Sequence, residues 1–181
     1  PGTVTCVDKA NVFRSMVFFR QIFDERARLF PDISVRYQYV DAMALDLVRQ
    51  PWEYDVLVME NMFGDILSDQ GGGILGSLGL MPSACIGPEK SYYEPSHGSA
   101  PDIAGQGIAN PYSMLGSVAM MLEMSFDMEQ EARNLWQAMQ AVFSAGFTTP
   151  DLARRGDDEK KISTAEFGDK VVEELDRLPP P

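Results

Sequence analysis

The sequence has very little histidine and cysteine, and it has no excess of positive charge. Among 181 residues there are one histidine and two cysteines, and 27 acidic residues outnumber 15 basic ones, which gives a net charge of −12. Cys6 and Cys85 are too few and too far apart for a disulfide framework, so we expect reduced thiols in a cytoplasmic protein, with Cys6 in a strand. The acidic balance argues against nucleic-acid binding, because that function needs a basic patch.

The chain also lacks any run of about 18 apolar residues, so the sequence predicts no membrane span. A signal peptide has a basic segment followed by an apolar one, and the start PGTVTCVDKA does not show this pattern. Hydrophobic residues make up 45% and charged residues 23%, which is typical of a globular protein with a substantial core. An acidic protein that handles an anionic substrate needs locally focused positive charge or a divalent metal.

The first third of the chain shows strand and helix periodicities in alternation. Two β-rich runs, 3–7 and 33–40, flank a stretch in which apolar residues recur at helical spacing, and Pro31 ends this predicted helix. A short helix over 41–50 and an unbroken apolar run at 55–59, typical of a buried parallel strand, come next. The buried stripe of the first helix is predicted to consist of Val12, Met16, Phe19, Phe23, Ala27 and Phe30. The alternation predicts an α/β fold.

The remainder of the chain is predicted to be a loop followed by helices. Residues 82–111 are rich in proline and glycine and indicate structured loops. Ser163 and Glu166 are spaced to form a capping box. The three helical patterns cover 112–126, 128–145 and 164–178. About three strands are visible where a typical sheet has about five or six, so we expect the chain to be part of a larger protein.

The glycines in the segment ENMFGDILSDQGGG and just after it imitate a nucleotide-binding fingerprint. Gly71, Gly73 and Gly76 match the pattern G-x-G-x-x-G, which requires a strand immediately before it and a helix that opens on it. Here the strand ends about a dozen residues earlier, and the residues between look helical. We therefore reject this fingerprint and interpret the glycines as helix-packing or flexible positions.

Asp65 and Asp69 are spaced so that a helix places both on one face. Spacing alone favours a solvated or capping acidic pair, which is common at the start of helices. Ile66 and Leu67, however, would bury the same helix, and Asp41 follows another strand, at an end where α/β sheets bind ligands. Three such carboxylates would suit a hard divalent ion, Mg²⁺ or Mn²⁺.

Lys9 and His97 are weak candidates when each is taken alone. Lys9 follows the first strand and is more often a surface charge than a catalytic group, unless a neighbouring charge or metal lowers its pKa. His97 lies in a loop, where a single histidine is usually a polar surface residue. Asp102, further along this loop, could accept both hydroxyl groups of a ribose, and the loop amides could cradle phosphate.

Five segments carry a more specific signal together: VDKANV, YVDAMAL, ENMFGDILSD, GSLGLMPSA and EPSHGSAPDIAGQGIANP. From about residue 3 to residue 168, their order and spacing resemble the β-decarboxylating dehydrogenases, and within that family the isopropylmalate branch. The resemblance implies an α/β fold of two domains, and this chain would be only the C-terminal half of that fold. Residues 1–75 would belong to the smaller, dimer-forming metal and substrate domain, and 76–178 to the cofactor domain.

The resemblance also implies a homodimer whose site is shared between subunits. Asp65 and Asp69 of one subunit and Asp41 of the other would bind Mg²⁺ or Mn²⁺. Lys9, from the same subunit as Asp41, would act as the general base on the substrate hydroxyl.

The cofactor implied by the resemblance is NAD. Asn11 would lie near the nicotinamide and Val12 near the variable side group of the substrate. Asp102 with Ile103 indicates NAD rather than NADP, because a carboxylate would repel a 2′-phosphate. The cofactor loop would comprise Glu94, His97, Gly98, Ala100, Asp102, Ile103 and Asn110.

The activity implied is NAD-dependent oxidative decarboxylation of a 2-hydroxy diacid, namely 3-isopropylmalate to 2-oxoisocaproate in leucine biosynthesis. The family's substrate-binding arginines and catalytic tyrosine have no counterpart in this chain, and Ser96 stands where relatives commonly have valine. We therefore expect the chain to be inactive alone. The alternatives are a tartrate or D-malate dehydrogenase, or a non-catalytic truncated subunit of a dehydrogenase.

Overall fold

A computed structural model describes residues 2–152 and 160–179 and confirms the α/β class. The chain divides into two compact units, an N-terminal unit (Pro1–Ile74) and a C-terminal unit (Leu75–Pro181). The strands are β1 (Thr3–Asp8), β2 (Ser34–Tyr39), β3 (Val56–Val58), β4 (Pro82–Ile86), β5 (Ser91–Pro95), β6 (Phe147–Thr148) and β7 (Lys160–Lys161). The helices are α1 (Arg14–Ala27), α2 (Val40–Arg49), α3 (Asn61–Leu75), α4 (Tyr112–Phe126), α5 (Glu129–Ser144) and α6 (Thr164–Leu175). The assignment of 1–75 and 76–178 to functional domains stays a prediction.

The N-terminal unit is built on a parallel three-stranded sheet in the order β2-β1-β3. The central strand β1 is buried over its last four residues, and Val7 packs with Met43 of α2 and Leu67 of α3. The predicted strands are therefore confirmed. Their parallel pairing brings the carboxyl ends of β1 and β2 to the same edge, where Asp8 lies opposite Tyr39.

The prediction of a buried stripe on α1 is wrong for the described residues. The helix is shorter than expected, because Val12 lies before its start and Phe30 after its end. None of its residues is buried by the described part of the chain. Phe23 and Val4 instead line an apolar groove of about 330 Å³ between α1 and the sheet. Periodicity indicates that a helix face is apolar but does not identify what covers it.

The C-terminal unit has a core made by α4, α5 and α6. Phe167 is fully buried there, and its ring lies 5.1 Å from that of Phe143. The predicted capping box at the start of α6 is confirmed, since Glu166 N–H donates to Ser163 Oγ over 3.2 Å while Ser163 N–H donates to the Glu166 carboxylate over 2.8 Å.

The prediction of loops throughout residues 82–111 is wrong for β4 and β5, which form an antiparallel hairpin. Pro82 and Pro95 face each other at its open end, where a missing N–H costs least. Ser117 of α4 ties the hairpin to the helix, because its Oγ donates to the Glu94 carbonyl over 2.9 Å and accepts from Ser83 N–H over 3.2 Å.

The glycines that imitate a nucleotide fingerprint lie at the end of α3. Gly71 and Gly73 are inside the helix, and Gly76 follows it with a φ of 107°, a conformation that glycine adopts without strain. A Cβ added at Gly71 or Gly73 would meet no other atom within 4 Å among the described residues, so packing inside this chain does not explain them. None of the helices in the described ranges combines the length and the apolar character needed to cross a membrane.

Candidate functional site

Lys9 and Asp41 meet at the carboxyl edge of the parallel sheet. Lys9 is the residue directly after β1, and Asp41 lies in the first turn of α2, which begins directly after β2. Lys9 Nζ forms an ion pair with Asp41 Oδ1 and lies 5.8 Å from the centre of the Tyr39 ring. The side chain of Lys9 is largely covered, whereas 68% of that of Asp41 is exposed. The topology therefore brings together two of the predicted site residues, with the carboxylate on the open side.

The hydrogen bond from Lys9, followed by one from the backbone N–H of Asp41 itself, lowers the pKa of the Asp41 carboxyl below its ordinary value. Its place in the first turn of a helix acts in the same direction, because the amino end of a helix favours negative charge. Asp41 is thus ionised at neutral pH and can act as an acceptor or as a ligand to a cation.

Asp8 and Arg20 form a charged pair beside this site that the sequence analysis missed. Asp8 is fully buried, and Arg20 donates to it through Nε over 2.7 Å and through Nη2 over 2.8 Å. A buried carboxylate is costly unless it is paired and hydrogen-bonded. The only signal available in the sequence was an aspartate at the end of an apolar strand, which requires a cationic partner from elsewhere in the fold.

Asp65 and Asp69 lie on the exposed face of α3, one helical turn apart. Glu60 accepts from the N–H groups of Met62 over 3.1 Å and of Phe63 over 3.3 Å, so the start of the helix is capped without using either aspartate. No lysine or arginine among residues 2–152 and 160–179 forms a salt bridge with them.

The expectation that Ile66 and Leu67 both bury α3 is half wrong. Leu67 is buried in the core of the N-terminal unit, but Ile66 is 59% exposed. An exposed isoleucine beside two exposed carboxylates gives this face of α3 a mixed character.

The donor set of α3 fits a hard divalent cation, because both candidate ligands are exposed carboxylates that form no salt bridge in the described structure. The described residues of one chain nevertheless contain no group of three acidic, histidine or cysteine side chains placed to hold a metal. Asp41 is therefore not brought together with Asp65 and Asp69. A site that uses all three carboxylates would need ligands from a second copy of the chain, which stays a prediction.

The predicted cofactor loop begins at the end of β5. Glu94 lies in that strand and is exposed, and His97 Nδ1 lies 2.8 Å from the Gly98 carbonyl oxygen, so a protonated Nδ1 donates to it. Ala100 has a left-handed backbone with a φ of 44°, and a single 3-10 turn, Pro101–Ile103, follows it. The backbone is thus sharply folded at the residues expected to hold a nucleotide.

Asp102 is exposed at this turn, and its own carbonyl accepts from Gln106 Nε2 over 2.8 Å. Gly105 and Gly107 then adopt positive φ values of 77° and 64°, and a Cβ at either would meet nothing within 4 Å in the described structure. The Asp102 carboxylate is thus presented by a compact loop with open space around its glycines.

Asn110 differs from the other predicted cofactor residues because it is buried. Its Nδ2 donates to Thr149 Oγ1 over 2.9 Å, and its Oδ1 accepts from Tyr112 N–H over 2.9 Å. Asp151 accepts from Asn110 N–H over 2.9 Å and from the Thr149 hydroxyl over 2.5 Å. These bonds fasten the end of the loop to the helical core, so the structure places Asn110 as an anchor of the loop.

Asn11 and Val12 lie in the turn that follows Lys9, and both are exposed. The N–H groups of Val12 and Phe13 each donate to the Lys9 carbonyl over 2.9 Å, which closes this turn ahead of α1. Their assigned roles toward nicotinamide and substrate stay predictions.

Comparison with known proteins gives a consistent family match. The sequence profile described as isocitrate/isopropylmalate dehydrogenase matches residues 1–171. Over 175 residues the chain is 47% identical to the 3-isopropylmalate dehydrogenase of Thermotoga maritima and 46% identical to that of Aquifex aeolicus. In both comparisons 97% of this chain is aligned, against 49% and 48% of the relative. The chain thus spans about half the length of the curated relatives it matches.

Solved structures show the same relationship. An isocitrate dehydrogenase from Methylococcus capsulatus superposes with a TM-score of 0.88 at 41% identity, over 96% of this chain and 50% of the other. A β-decarboxylating dehydrogenase from Thermococcus kodakarensis gives a TM-score of 0.82 at 37% identity, over 97% and 50%.

Proposed function

The chain belongs to the isocitrate/isopropylmalate dehydrogenase family, and from this membership we propose that the protein containing it is an NAD-dependent 3-isopropylmalate dehydrogenase. The reaction would oxidise the hydroxyl-bearing carbon of the diacid and release one carboxyl group as CO2. The names of the curated relatives support the choice of substrate. The observation that carries the proposal is the Lys9–Asp41 pair at the shared carboxyl edge of β1 and β2.

Lys9 would take the proton of the substrate hydroxyl at Nζ. Asp41 orients this nitrogen, and the Tyr39 ring lies beside it, so the amine is limited to a narrow range of positions at the sheet edge. Such restraint matters because acid–base catalysis needs the base within hydrogen-bond reach of the proton it removes.

Asp65, Asp69 and, from a second copy, Asp41 would hold a divalent cation. When bound, this cation would polarise the substrate oxygen as a Lewis acid, and NAD would accept the hydride. The ligand carboxylates themselves keep negative charge at the site, so the cation would also offset part of the charge of a dianionic substrate.

Asp102 would bind the ribose hydroxyls of NAD and disfavour the 2′-phosphate of NADP by like-charge repulsion. Its exposure on the compact loop supports this role, because the carboxylate is available to a ligand. Asn110 would act from beneath the loop by fixing its end to the helical core.

The substrate is tested by comparing kcat/KM of the full-length protein for 3-isopropylmalate, isocitrate, D-malate and tartrate, each with NAD and with NADP. We expect the highest value for 3-isopropylmalate with NAD, with CO2 released in equal amount to NADH. A higher value for isocitrate, which the Methylococcus capsulatus neighbour makes the leading competitor, would contradict the proposal.

The base is tested with Lys9→Met, for which we expect kcat to fall by roughly 10²–10⁴, the usual contribution of a general base. Lys161→Met removes an exposed lysine of β7 as a matched control and should leave kcat unchanged.

The metal ligands are tested by titrating Mn²⁺ into the full-length protein and into Asp65→Asn, with Asp32→Asn as a control at an exposed position outside the site. Weaker binding only in Asp65→Asn is expected. Equal affinities in all three proteins would refute the metal assignment.

A further inference from the structure

Arg20 connects both strand ends that carry the Lys9–Asp41 pair. Its guanidinium forms the two-pronged hydrogen bond to the buried carboxylate of Asp8, at the end of β1. The same guanidinium lies 5.0 Å from the ring centre of Tyr37 and 5.8 Å from that of Tyr39, both in β2. One side chain of α1 therefore touches the two strands immediately before the candidate site residues.

On the β1 side, Asp8 fixes the backbone on both sides of Lys9. Its Oδ1 accepts from Ala10 N–H over 2.9 Å as well as from Arg20. The carbonyl of Lys9 is held in turn by Val12 and Phe13. Because the Asp8 carboxylate is held by Arg20, the position of the turn through Lys9 depends on the arginine.

On the β2 side, Tyr39 is the last strand residue and directly precedes α2, which carries Asp41 in its first turn. Lys9 Nζ and the Arg20 guanidinium both lie 5.8 Å from the centre of its ring. The ring thus lies among the two cations and the start of α2. Cations near the face of a tyrosine ring are attracted by its electron density.

We infer that Arg20 is a positioning residue that holds the Lys9–Asp41 pair in register, through Asp8 on one strand and the Tyr39 ring on the other. The inference rests on the proposed function of that pair. Lysine could not replace the arginine, because an ammonium group has neither the planar fork that binds both carboxylate oxygens nor the flat face that lies against aromatic rings.

The test compares Arg20→Lys with Arg36→Lys in the full-length protein. Arg36 is a matched control on β2, because its guanidinium also lies near a tyrosine ring, 5.3 Å from that of Tyr54, and donates to the Glu53 carbonyl over 2.9 Å. We expect Arg20→Lys to lower kcat by roughly tenfold to a hundredfold, the scale of a small misplacement of a catalytic group. Arg36→Lys should match the wild type in kcat.

A readout independent of turnover is the rate of reductive methylation of Lys9 in the folded protein, measured by peptide mass spectrometry against Lys161. Loss of Arg20 should release Lys9 and raise this rate severalfold, whereas Arg36→Lys should not. Unchanged Lys9 labelling, or unchanged kcat in an active enzyme, would overturn the inference. A purely structural role would lower the melting temperature without either change.

The Tyr39 ring provides a second comparison that does not break the buried ion pair. Tyr39→Phe keeps the ring and should retain kcat, whereas Tyr39→Leu removes it and should lower kcat in the same direction as Arg20→Lys. Equal kcat values for the two variants would also overturn the inference. A wild-type protein that turns over none of the tested diacids would remove the proposed function, and Lys9 labelling would then decide the positioning role by itself.

Discussion

Cys6 and Cys85 carry the same side chain in opposite environments. Cys6 is fully buried in β1, and burial, together with the neighbouring Asp8 carboxylate, raises the pKa of its thiol to about 12. Cys85 lies in β4 and is exposed. Because the thiolate is the reactive form, the two cysteines should differ sharply toward electrophiles.

Iodoacetamide at pH 8 should therefore label Cys85 in the folded chain and leave Cys6 unmodified until the protein is unfolded. Mass spectrometry of the intact chain distinguishes one adduct from two. Cys85→Ser should give no adduct in the folded state, and rapid labelling of Cys6 there would contradict the burial of β1.

Residues that act across elements were hardest to predict from the sequence. Lys9 and Asp41 were identified through short motifs, and their positions after two parallel strands explain why they meet. Asp8 and Arg20 lie in different elements without a shared motif, so only the packing of α1 on the sheet reveals the pair. Asn110 was predicted in the loop, but its burial depends on Thr149, 39 positions away.

At the scale of helices, two glycines differ in the space available for a side chain. Gly71 in α3 is open to an added Cβ, whereas a Cβ on Gly116 in α4 would lie 2.7 Å from the Trp136 ring and 3.0 Å from Pro82. We expect Gly71→Ala to raise the free energy of unfolding by about 0.5–1 kcal/mol through lower chain entropy. Gly116→Ala should lower it by about 1–3 kcal/mol through overpacking. Urea denaturation of this chain, followed by circular dichroism, measures both.

The two outcomes would separate backbone freedom from packing as the reason for each glycine. Stabilisation of the isolated chain by Gly71→Ala together with weaker assembly of the full-length protein would indicate that the glycine is needed for a contact with another part of the assembly. Stabilisation by Gly116→Ala would contradict the close approach of β4 to α4.

The capping box of α6 makes a prediction about pH. Hydrogen bonds from the backbone N–H and then the hydroxyl of Ser163 lower the pKa of Glu166. The ionised Glu166 therefore contributes to the free energy of unfolding above the ordinary glutamate pKa, and this contribution is lost as the pH falls through the lower pKa of the folded state. Ser163→Ala should cost about 1 kcal/mol of unfolding free energy at pH 7. This difference from the wild type should shrink in acid.

Ser144→Ala is the control for this prediction, because Ser144 bonds only to the Gln140 carbonyl near the end of α5 in the described structure. Its unfolding free energy should stay close to wild type at every pH. A Ser163→Ala difference that is constant from pH 7 to pH 3 would contradict the linkage to Glu166.

Elements with regular periodicity were predicted well, and irregular ones were not. The helices α4, α5 and α6 are confirmed within a few residues, because each presents an apolar face to a shared core. The β4–β5 hairpin was missed because its prolines indicate loops, although the ends of a hairpin tolerate them. The apolar face of α1 was recognised, but among the described residues nothing covers it enough to bury any residue of the helix.

At the scale of the whole molecule, the two units differ in how much they bury. Six residues of α5 are buried in the C-terminal unit, whereas within the described chain α1 has none. Local opening follows the amount of burial, so we expect the amide hydrogens of α5 to exchange with solvent much more slowly than those of α1. Hydrogen exchange with mass spectrometry on this chain tests the difference, and equal protection would contradict it.

Lys9 and Asp41 lie together in one chain, and Asp65 and Asp69 lie elsewhere in it. This separation has a genetic consequence in the proposed dimer. A Lys9 variant and an Asp65 variant would each be inactive, but a mixed dimer would contain one intact site, so an equal mixture should regain about a quarter of wild-type activity. A Lys9 variant mixed with an Asp41 variant should regain none, because both defects fall on the same side of every site. Two alleles that fail alone would therefore rescue each other only when their defects lie on opposite sides of the shared site.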